Sequence, residues 1–317
     1  MDSVKNIRDF DSFYELIEYF STEERCVDYL AKLRWNGEPV CPYCGHNHSY
    51  ELNVKGRGKR WKCAECRKQY SVRVGTIFEE SKITLRKWFI AIYLITAHKK
   101  GISSHQLARD LKITQKTAWF ILQRVRYAFT PDNEKFKGVV EIDETFIGGK
   151  DKNKHKSKRA GNKATGRSVL VKTPVLGILE RGGKVYAVPV ANTQSATLLP
   201  VMRDKVEEGS TIFTDEWRSY LALRSGYDHQ VIRHNADEYV RGEVHTNGIE
   251  SFWALVKRGI VGIYHHTSYK HLDKYINEFT FRYNNRKLSE GSRFDVLLAN
   301  SHGRLSYKEL INEQEAG

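Results

Sequence analysis

The sequence predicts an α/β protein built from several domains, and three observations support this fold class. Apolar residues recur at helical spacing on both sides of two cysteine pairs within residues 1–130. After residue 139, short runs of β-branched residues alternate with helical stretches. At 317 residues, the chain has room for more than one domain and for a sizeable core.

Changes in composition and periodicity divide the chain into five segments. In order, these are predicted to be an N-terminal helical segment, a cysteine-containing ribbon, a three-helix domain, a sheet domain and a C-terminal tail, at residues 1–38, 39–76, 82–130, 135–288 and 289–317. A linker at residues 131–133 precedes the sheet domain. Within that domain, residues 150–172 are rich in Lys, Gly and Ser, which predicts a basic insertion that either orders on DNA or only aids solubility.

The net charge of +14 is concentrated in two parts of the chain. Residues 41–130 carry 18 basic and 5 acidic side chains, and residues 150–172 carry 9 basic side chains and 1 acidic. Such concentrated positive charge favours a polyanionic partner, and nucleic acid fits best. Solvated basic segments without a partner are the alternative that charge alone leaves open.

Neither a membrane span nor an export signal is found in the sequence. No apolar run approaches the roughly 20 residues that a helix needs to cross a bilayer. The first residues, Met-Asp-Ser-Val-Lys-Asn, lack the apolar core of a signal peptide. A cytoplasmic location without a membrane partner is therefore expected.

Two Cys-x-x-Cys pairs form the most specific local pattern. Cys41 and Cys44 are separated by 18 residues from Cys63 and Cys66. Each pair can present two thiolates from one tight turn, and two such turns complete a tetrahedron around Zn²⁺. Four thiolates leave no open coordination position, so the predicted zinc is structural. Two disulfides are the alternative, which the expected cytoplasmic location disfavours.

Candidate DNA contacts lie on the ribbon and on the three-helix domain. Between the cysteine pairs, Lys59 and Arg60 belong to a cationic stretch that suits phosphate contact. Residues 103–111 and 115–127 are predicted helices joined by a three-residue turn, which indicates either a helix-turn-helix or a helical hairpin without a DNA function. In the helix-turn-helix interpretation, base edges are faced by Gln115 and Lys116, and phosphates by Thr117 and Arg124.

The rest of the chain is organised around a short predicted strand at Val139–Gly149, which carries three carboxylates among β-forming residues. A buried carboxylate must be paired or must bind a metal, so this strand indicates a site. Asp143 is the candidate on the strand, Asp215 follows another β-like run, and Glu250 lies in a predicted helix. We interpret these three residues as one metal-binding triad, although a surface charge is the simpler interpretation of any one of them alone.

Clustered carboxylates hold hard cations such as Mg²⁺ or Mn²⁺ through oxygen ligands. Two such ions about 3.5–4 Å apart activate the nucleophile and stabilise the leaving oxygen in phosphodiester chemistry. Lys257 lies seven residues after Glu250, close to two helical turns, so it shares that helix face and is a candidate contact for the DNA backbone. Asn247 lies one turn before Glu250 and is a candidate metal ligand or support for Glu250.

The predicted elements of the sheet domain follow the order β-β-β-α-β-α-β-α-α. Helices are expected at residues 196–206, 217–223, 246–258 and 269–286. This order is that of the RNase-H-like, or retroviral-integrase-like, fold, whose mixed sheet has antiparallel strands first and parallel strands after. In such a sheet, Asp143 and Asp215 would lie side by side at one edge.

Four stretches resemble the zinc-ribbon insertion-sequence transposases of the DDE class, in the family numbered fifteen-ninety-five. They are the ribbon at residues 41–66, Val-Glu-Ile-Asp-Glu-Thr-Phe-Ile-Gly-Gly at 140–149, Thr-Asp-Glu-Trp at 214–217, and His-Thr-Asn-Gly-Ile-Glu-Ser-Phe-Trp-Ala-Leu-Val-Lys-Arg-Gly at 245–259. The resemblance spans about residues 10–286. It implies an RNase-H-like core, divalent metal, cutting of DNA at terminal inverted repeats and insertion into target DNA.

Carried onto this chain, the resemblance assigns Asp143 and Asp215 as the two aspartates of the class. Glu250, separated from Asp215 by 34 residues, takes the third position, and Asn247 is its auxiliary because some relatives have Asn there. The resemblance also implies a homodimer or larger homo-oligomer on DNA, in the nucleoid of a bacterium or archaeon.

Two other functions fit parts of the pattern. A DNA-binding regulator would use the ribbon and the helix-turn-helix while its catalytic fold is inert, which an intact triad disfavours. An RNase-H-like nuclease would cut DNA without strand transfer. The sequence does not separate cutting from joining.

Overall fold

The computed structural model of the chain describes the residues 10, 12–54, 58–129, 134–149, 151–153, 155–159, 168–215, 220, 226–231 and 245–312. The chain divides into two compact units, which comprise residues 1–130 with 286–317, and residues 131–285. In the parts that the structure describes, no helix combines the length and the apolar character needed to cross a membrane.

The first unit begins with two helices, α1 (Phe13–Tyr19) and α2 (Glu23–Trp35). The hydroxyls of Ser12 and Thr22 cap them by accepting backbone N–H groups three residues on, at 3.2 and 3.3 Å. Their apolar faces bury Leu16 of α1 and Tyr29 and Leu30 of α2 in the core of this unit.

The cysteine ribbon is a three-stranded antiparallel sheet made of β1 (Ser49–Val54), β2 (Gly58–Cys63) and β3 (Gln69–Tyr70). Its small core consists of Trp61 and Tyr70, whose rings stack at 6.2 Å, with Trp35 from α2 against Trp61 at 4.8 Å. So few apolar residues supply little burial energy, which is why such a ribbon relies on a bound metal.

Three helices follow, as the sequence predicts: α3 (Leu85–Ala97), α4 (Ser104–Leu111) and α5 (Gln115–Tyr127). Each begins after a hydroxyl cap that accepts a backbone N–H, and the caps are Thr84, Ser103 and Thr114. Helix α3 is buried almost all round, because α2, α5 and a later helix all pack on it.

Residues 289–317, predicted to be a C-terminal tail, contain α9 (Glu290–Ala299) and α10 (Tyr307–Asn312). Helix α9 packs on α3 and buries Phe294, Leu297 and Leu298 completely. The buried hydroxyl of Tyr29 donates to Oδ1 of Asp295 at 2.6 Å. The described part of this segment is therefore structural, and the periodicity of its apolar residues is the signal that the sequence interpretation passed over.

The second unit is built on a five-stranded mixed sheet, which confirms the predicted α/β character. Its strands are β4 (Val139–Ile147), β5 (Thr173–Glu180), β6 (Val185–Pro189), β7 (Thr211–Thr214) and β8 (Asp228–Val231). The strand order is β6-β5-β4-β7-β8. Strands β4, β5 and β6 are antiparallel neighbours, β7 runs parallel to β4, and β8 runs parallel to β7.

Helices cover both faces of this sheet. One face, which includes Val140 and Ile142, packs on α6 (Ser195–Lys205). The other face, which includes Val175 and Leu179, packs on α7 (Asn247–Gly259) and α8 (Leu272–Asn284). Alternate residues of each strand point to opposite faces, so the apolar pattern of β4 and β5 dictates this layering.

The described connections of this unit contain shorter helical turns. Helix α7 continues into a π-helical turn at Ile260–Tyr264, and a 3₁₀ turn at Tyr269–His271 leads into α8. Within the basic insertion, 3₁₀ turns occur at Asp151–Asn153 and Lys156–Lys158. The helix predicted at residues 217–223 lies outside the described residues except for Tyr220.

Candidate active site

The three predicted carboxylates line one cleft of the second unit, with a volume of about 690 Å³. Asp143, Asp215 and Glu250 share this cleft with Lys257 and Lys172. Asn247, the first residue of α7, is exposed and is not among the residues that line it. The structure therefore brings Glu250 rather than Asn247 to the two aspartates.

Strand pairing explains why the two aspartates meet. In the parallel pair of β4 and β7, Glu141 lies opposite Phe213. Asp143 and Asp215 each lie two residues further along, where β7 has just ended. Continuing this parallel register places Asp215 beside Asp143, and both residues line the same cleft.

Helix α7 brings Glu250 and Lys257 to this cleft. Its apolar face packs on β4 and β5, which leaves the exposed Glu250 and Lys257 on the side of the cleft. The hydroxyl of Thr246, just before the helix, donates to Oε1 of Glu250 at 2.9 Å. The side chain of Glu250, in the first turn of α7, therefore has a hydrogen-bond partner in Thr246.

Asp143 is placed among like charges. Its pKa is raised to about 6, first because burial disfavours the charged carboxylate and next because Asp215 is a negative neighbour; Glu250 adds to the effect. Hydrogen bonds from the backbone of Glu144 and from Trp253 oppose the rise. A divalent cation would relieve this repulsion, and oxygen ligands in an open cleft suit Mg²⁺ or Mn²⁺.

Trp253 also belongs to the site, although the sequence did not predict it. Its indole Nε1 donates to Oδ2 of Asp143 at 3.1 Å. Gly177, opposite Asp143 on β5, makes room for the ring, because a Cβ there would lie 2.4 Å from Cζ2 of Trp253. The spacing of Trp253, one turn after Glu250 on the same helix, is the signal that would have indicated it.

The four cysteines form a separate site in the first unit. The Sγ atoms of Cys41 and Cys66 are 3.6 Å apart, and so are those of Cys44 and Cys63. All four ligand atoms lie within 4.8 Å of one another, and Zn–S bonds of about 2.3 Å give a tetrahedral edge of roughly 3.8 Å. The cluster therefore supports the predicted structural zinc.

The carboxylate site is looser than the cysteine site. Among the described residues, the four cysteines are the one group of three or more potential ligands drawn together tightly enough to hold a metal ion. The triad shares a cleft without forming such a group. The binding of a divalent metal by the triad is therefore a proposal.

Three of the predicted DNA contacts lie at the start of α5. Gln115 and Lys116 are exposed, and Nε2 of Gln115 donates to Oγ of Ser104 at 2.9 Å. The backbone N–H of Thr117 is held by the hydroxyl of Thr114 at 3.2 Å. On the ribbon, Lys59 pairs with Asp28 and Glu51, each at 3.0 Å, and Arg60 is half-buried on β2.

The structure corrects the role predicted for Arg124. Its side chain is buried, with 4% of its surface exposed. Its Nε donates to the carbonyl oxygen of Leu305 at 2.7 Å, and its Nη1 donates to those of Ile77 and Glu79 at 2.9 and 2.8 Å. A guanidinium used in this way joins segments of the first unit and is not available to a phosphate.

Parts of this chain match two transposase domains and two known proteins. Residues 135–284 match the ISXO2-like transposase domain, and residues 21–69 match the transposase zinc-ribbon domain. An uncharacterized transposase-like protein of Haemophilus influenzae is 38% identical over 106 residues, which are 33% of this chain and 85% of that protein. An uncharacterized protein in transposable element ISH50 of Halobacterium salinarum is 29% identical over 250 residues, which are 76% of this chain and 84% of that protein.

The two matched domains occur in the order that the sequence motifs indicated, first the zinc ribbon and then the transposase domain. The chain belongs to the ISXO2-like transposases, an insertion-sequence family with a zinc ribbon, which confirms the resemblance described above.

Proposed function

We propose that this protein is a DDE transposase that binds the terminal inverted repeats of its insertion sequence, cuts the DNA there and joins the cut ends to target DNA. The observation that carries the proposal is the single cleft lined by Asp143, Asp215, Glu250 and Lys257. Carboxylates from three separate elements, with a lysine beside them, are suited to phosphodiester chemistry.

An RNase-H-like fold of the second unit, corresponding to the domain predicted at residues 135–288, is part of this proposal. It is supported by the strand order β6-β5-β4-β7-β8, by the antiparallel pairing of the first three strands and by the parallel pairing of the last two. It is also supported by α6 on one face and α7 with α8 on the other.

In the proposed site, Asp143, Asp215 and Glu250 would hold Mg²⁺ or Mn²⁺, two ions per site. When bound, the metal supplies an activated oxygen nucleophile and stabilises the leaving oxygen. Trp253 fixes one oxygen of Asp143, and Thr246 fixes one oxygen of Glu250. Lys257, exposed in the last turn of α7, would contact a phosphate of the reacting strand.

DNA recognition is assigned to the zinc ribbon and to α4 and α5, which we propose form a helix-turn-helix. The exposed Gln115 and Lys116 begin α5, the position from which a recognition helix reads base edges. Lys59 and Arg60 would contact phosphates from the ribbon, and Thr117 from the helix. Part of the charge of Lys59 is already balanced by Asp28 and Glu51, so we expect its contribution to be the smallest.

Joining two ends of one element to a target requires two cutting centres at the same place. In one chain, Asp143, Asp215 and Glu250 line the same cleft. We therefore propose that a homodimer or larger homo-oligomer assembles on DNA.

The test uses the purified full chain and duplexes that carry the ends of its own element, with Mg²⁺. We expect cut ends and their covalent products with a target duplex, both dependent on the metal. Cutting without joining would make the protein a nuclease, and binding of the ends without cutting would make it a DNA-binding regulator.

A further inference from the structure

A second carboxylate of β4 is buried and is not used by the proposed chemistry. Glu141 is 1% exposed and lies two residues before Asp143, on the same face of the strand. A carboxylate in the interior is costly unless charged or hydrogen-bonding partners surround it. The partners of Glu141 therefore show what the residue does.

Both oxygens of Glu141 are engaged. Oε1 accepts from Nε and Nη2 of Arg181, at 3.2 and 3.1 Å. Oε2 accepts the backbone N–H of Ile249, in the first turn of α7, at 3.0 Å. The carboxylate thus binds a free N–H group of a helix N-terminus, where negative charge is favourable.

Arg181 extends the contact in two directions. Its Nη2 donates to the carbonyl oxygen of His245, just before α7, at 3.0 Å. Its guanidinium lies 4.9 Å from the ring centre of Phe213 on β7. Its backbone N–H donates to the carbonyl oxygen of Val139 on β4 at 2.9 Å. One arginine therefore contacts β4, β7 and the segment that leads into α7.

Each of these contacts falls close to a triad member along the chain. Glu141 is two residues before Asp143, Phe213 is two residues before Asp215, and Ile249 directly precedes Glu250. Glu141 and Phe213 also lie opposite each other in the strand register. The contacts of the Glu141–Arg181 pair therefore lie one or two residues before each of the three carboxylates along the chain. Glu141 lies on the same face of the sheet as Asp143.

The close approach of α7 requires a glycine. A Cβ on Gly248 would lie 2.7 Å from Oε2 of Glu141 and 3.1 Å from Cδ2 of Leu179. A side chain at this position would therefore displace either the first turn of α7 or the carboxylate of Glu141. The absence of a side chain at position 248 therefore allows Glu141 to reach the N-terminus of α7.

We propose that Glu141 and Arg181 are positioning residues that set the separation of Asp143, Asp215 and Glu250 and so determine the affinity of the triad for divalent metal. The inference rests on the proposed function, because it assumes that the triad binds the metal. Partners behind metal ligands typically change metal affinity by about 10- to 100-fold when they are lost.

The same unit contains a matched control. Glu278 on α8 is fully buried and pairs with Arg282 on the same helix, with a further hydrogen bond from the hydroxyl of Tyr264. None of these three residues lines the cleft. Glu278→Gln therefore removes a buried paired charge that lies outside the cleft.

The experiment measures Mn²⁺ binding to the full zinc-loaded chain without DNA, from the electron paramagnetic resonance signal of free Mn²⁺, together with thermal unfolding. Glu141→Gln preserves the shape of the side chain but removes its charge. We expect it to weaken Mn²⁺ binding about 10-fold or more, while Glu278→Gln lowers the Tm and leaves Mn²⁺ binding within about twofold of the original chain. Arg181→Lys, which keeps the charge but not the forked geometry, is the second variant in case Glu141→Gln does not fold.

The variant Asp143→Asn distinguishes failure of the positioning role of Glu141 and Arg181 from failure of the proposed metal site. If Asp143→Asn abolishes Mn²⁺ binding while Glu141→Gln and Arg181→Lys bind like the original chain, the positioning role is wrong and the triad stands. The positioning role is equally wrong if Glu141→Gln and Glu278→Gln weaken binding to the same degree. If Asp143→Asn itself leaves Mn²⁺ binding unchanged, the metal site of the proposed function is overturned.

Discussion

The indole N–H of Trp253 on α7 points at the carboxylate of Asp143 on β4, with 3.1 Å between Nε1 and Oδ2. Gly177 on the neighbouring strand leaves the space through which the ring reaches the aspartate. One oxygen of Asp143 is therefore held by the protein. This hydrogen bond joins the element that carries the first aspartate to the helix that carries Glu250.

Trp253→Phe should preserve most of the packing and remove the hydrogen bond. We expect metal-dependent DNA cutting to fall about 10-fold, because a ligand that is free to rotate binds metal less well. The measurement is the cutting rate as a function of Mg²⁺ concentration. Trp88→Phe is the matched control, since its indole donates to Oγ of Ser81 at 3.0 Å in the first unit. Equal effects of the two changes would contradict a role for Trp253 at the metal site.

The raised pKa of Asp143 predicts how stability depends on pH when no divalent metal is added. A carboxyl whose pKa is higher in the folded than in the unfolded chain stabilises the fold below the unfolded value, near 4, and this contribution is lost as pH rises through about 6. Asp143→Asn should therefore raise the Tm by a few degrees at pH 7 and by less at pH 4.5. A gain in Tm that is the same at both pH values would contradict the prediction.

Zinc should be present at about one ion per chain, held by Cys41, Cys44, Cys63 and Cys66. Cys63→Ser should lose the zinc and unfold the ribbon, because metal binding and folding are coupled in such small domains. Cys26→Ser is the control, since Cys26 is buried on α2 and is not part of the cluster. Metal analysis of protein purified without chelators measures the content, and absence of zinc would exclude the site.

Substitutions in α5 should have two different kinds of effect. Lys116→Ala should weaken DNA binding and lower its salt slope by roughly one unit if the residue contacts a phosphate, and Gln115→Ala should change sequence preference. Arg124→Ala should instead destabilise the first unit by at least about 2 kcal/mol, because three carbonyl groups, two of them in buried hydrogen bonds, lose this donor. The measurements are titrations at several salt concentrations and denaturant unfolding. Normal stability of Arg124→Ala would contradict the buried, structural role of the Arg124 side chain.

Local signals were enough to predict much of the fold. The helices predicted at residues 103–111 and 115–127 are α4 (Ser104–Leu111) and α5 (Gln115–Tyr127), so local patterns placed both to within a residue. The strand that carries Asp143 is evident because three carboxylates interrupt an apolar run. These features depend on neighbours within about one turn or one strand.

The features that sequence reasoning missed depend on contacts distant in the chain. Arg124 has the spacing of an exposed cation on α5, and only its contacts with Leu305 and Ile77 show that it is buried. Likewise, Trp253 becomes part of the site only because Gly177 stands opposite Asp143. Charge and hydrophobicity along a sequence do not report which distant segment covers a side chain.

Asp143, Asp215 and Glu250 are proposed to form one metal-dependent site for cutting and joining DNA. The most direct measurement compares Asp143→Asn, Asp215→Asn, Glu250→Gln and Asn247→Ala in Mg²⁺-dependent cutting and joining of duplexes that carry the ends of the element. The three carboxylate changes should abolish both steps and leave binding of the ends largely intact, because each removes a negative ligand and nearly preserves its shape. Asn247→Ala should retain activity. Full cutting and joining by the three carboxylate variants would contradict the account, and an active Glu250→Gln beside an inactive Asn247→Ala would transfer the third position to Asn247.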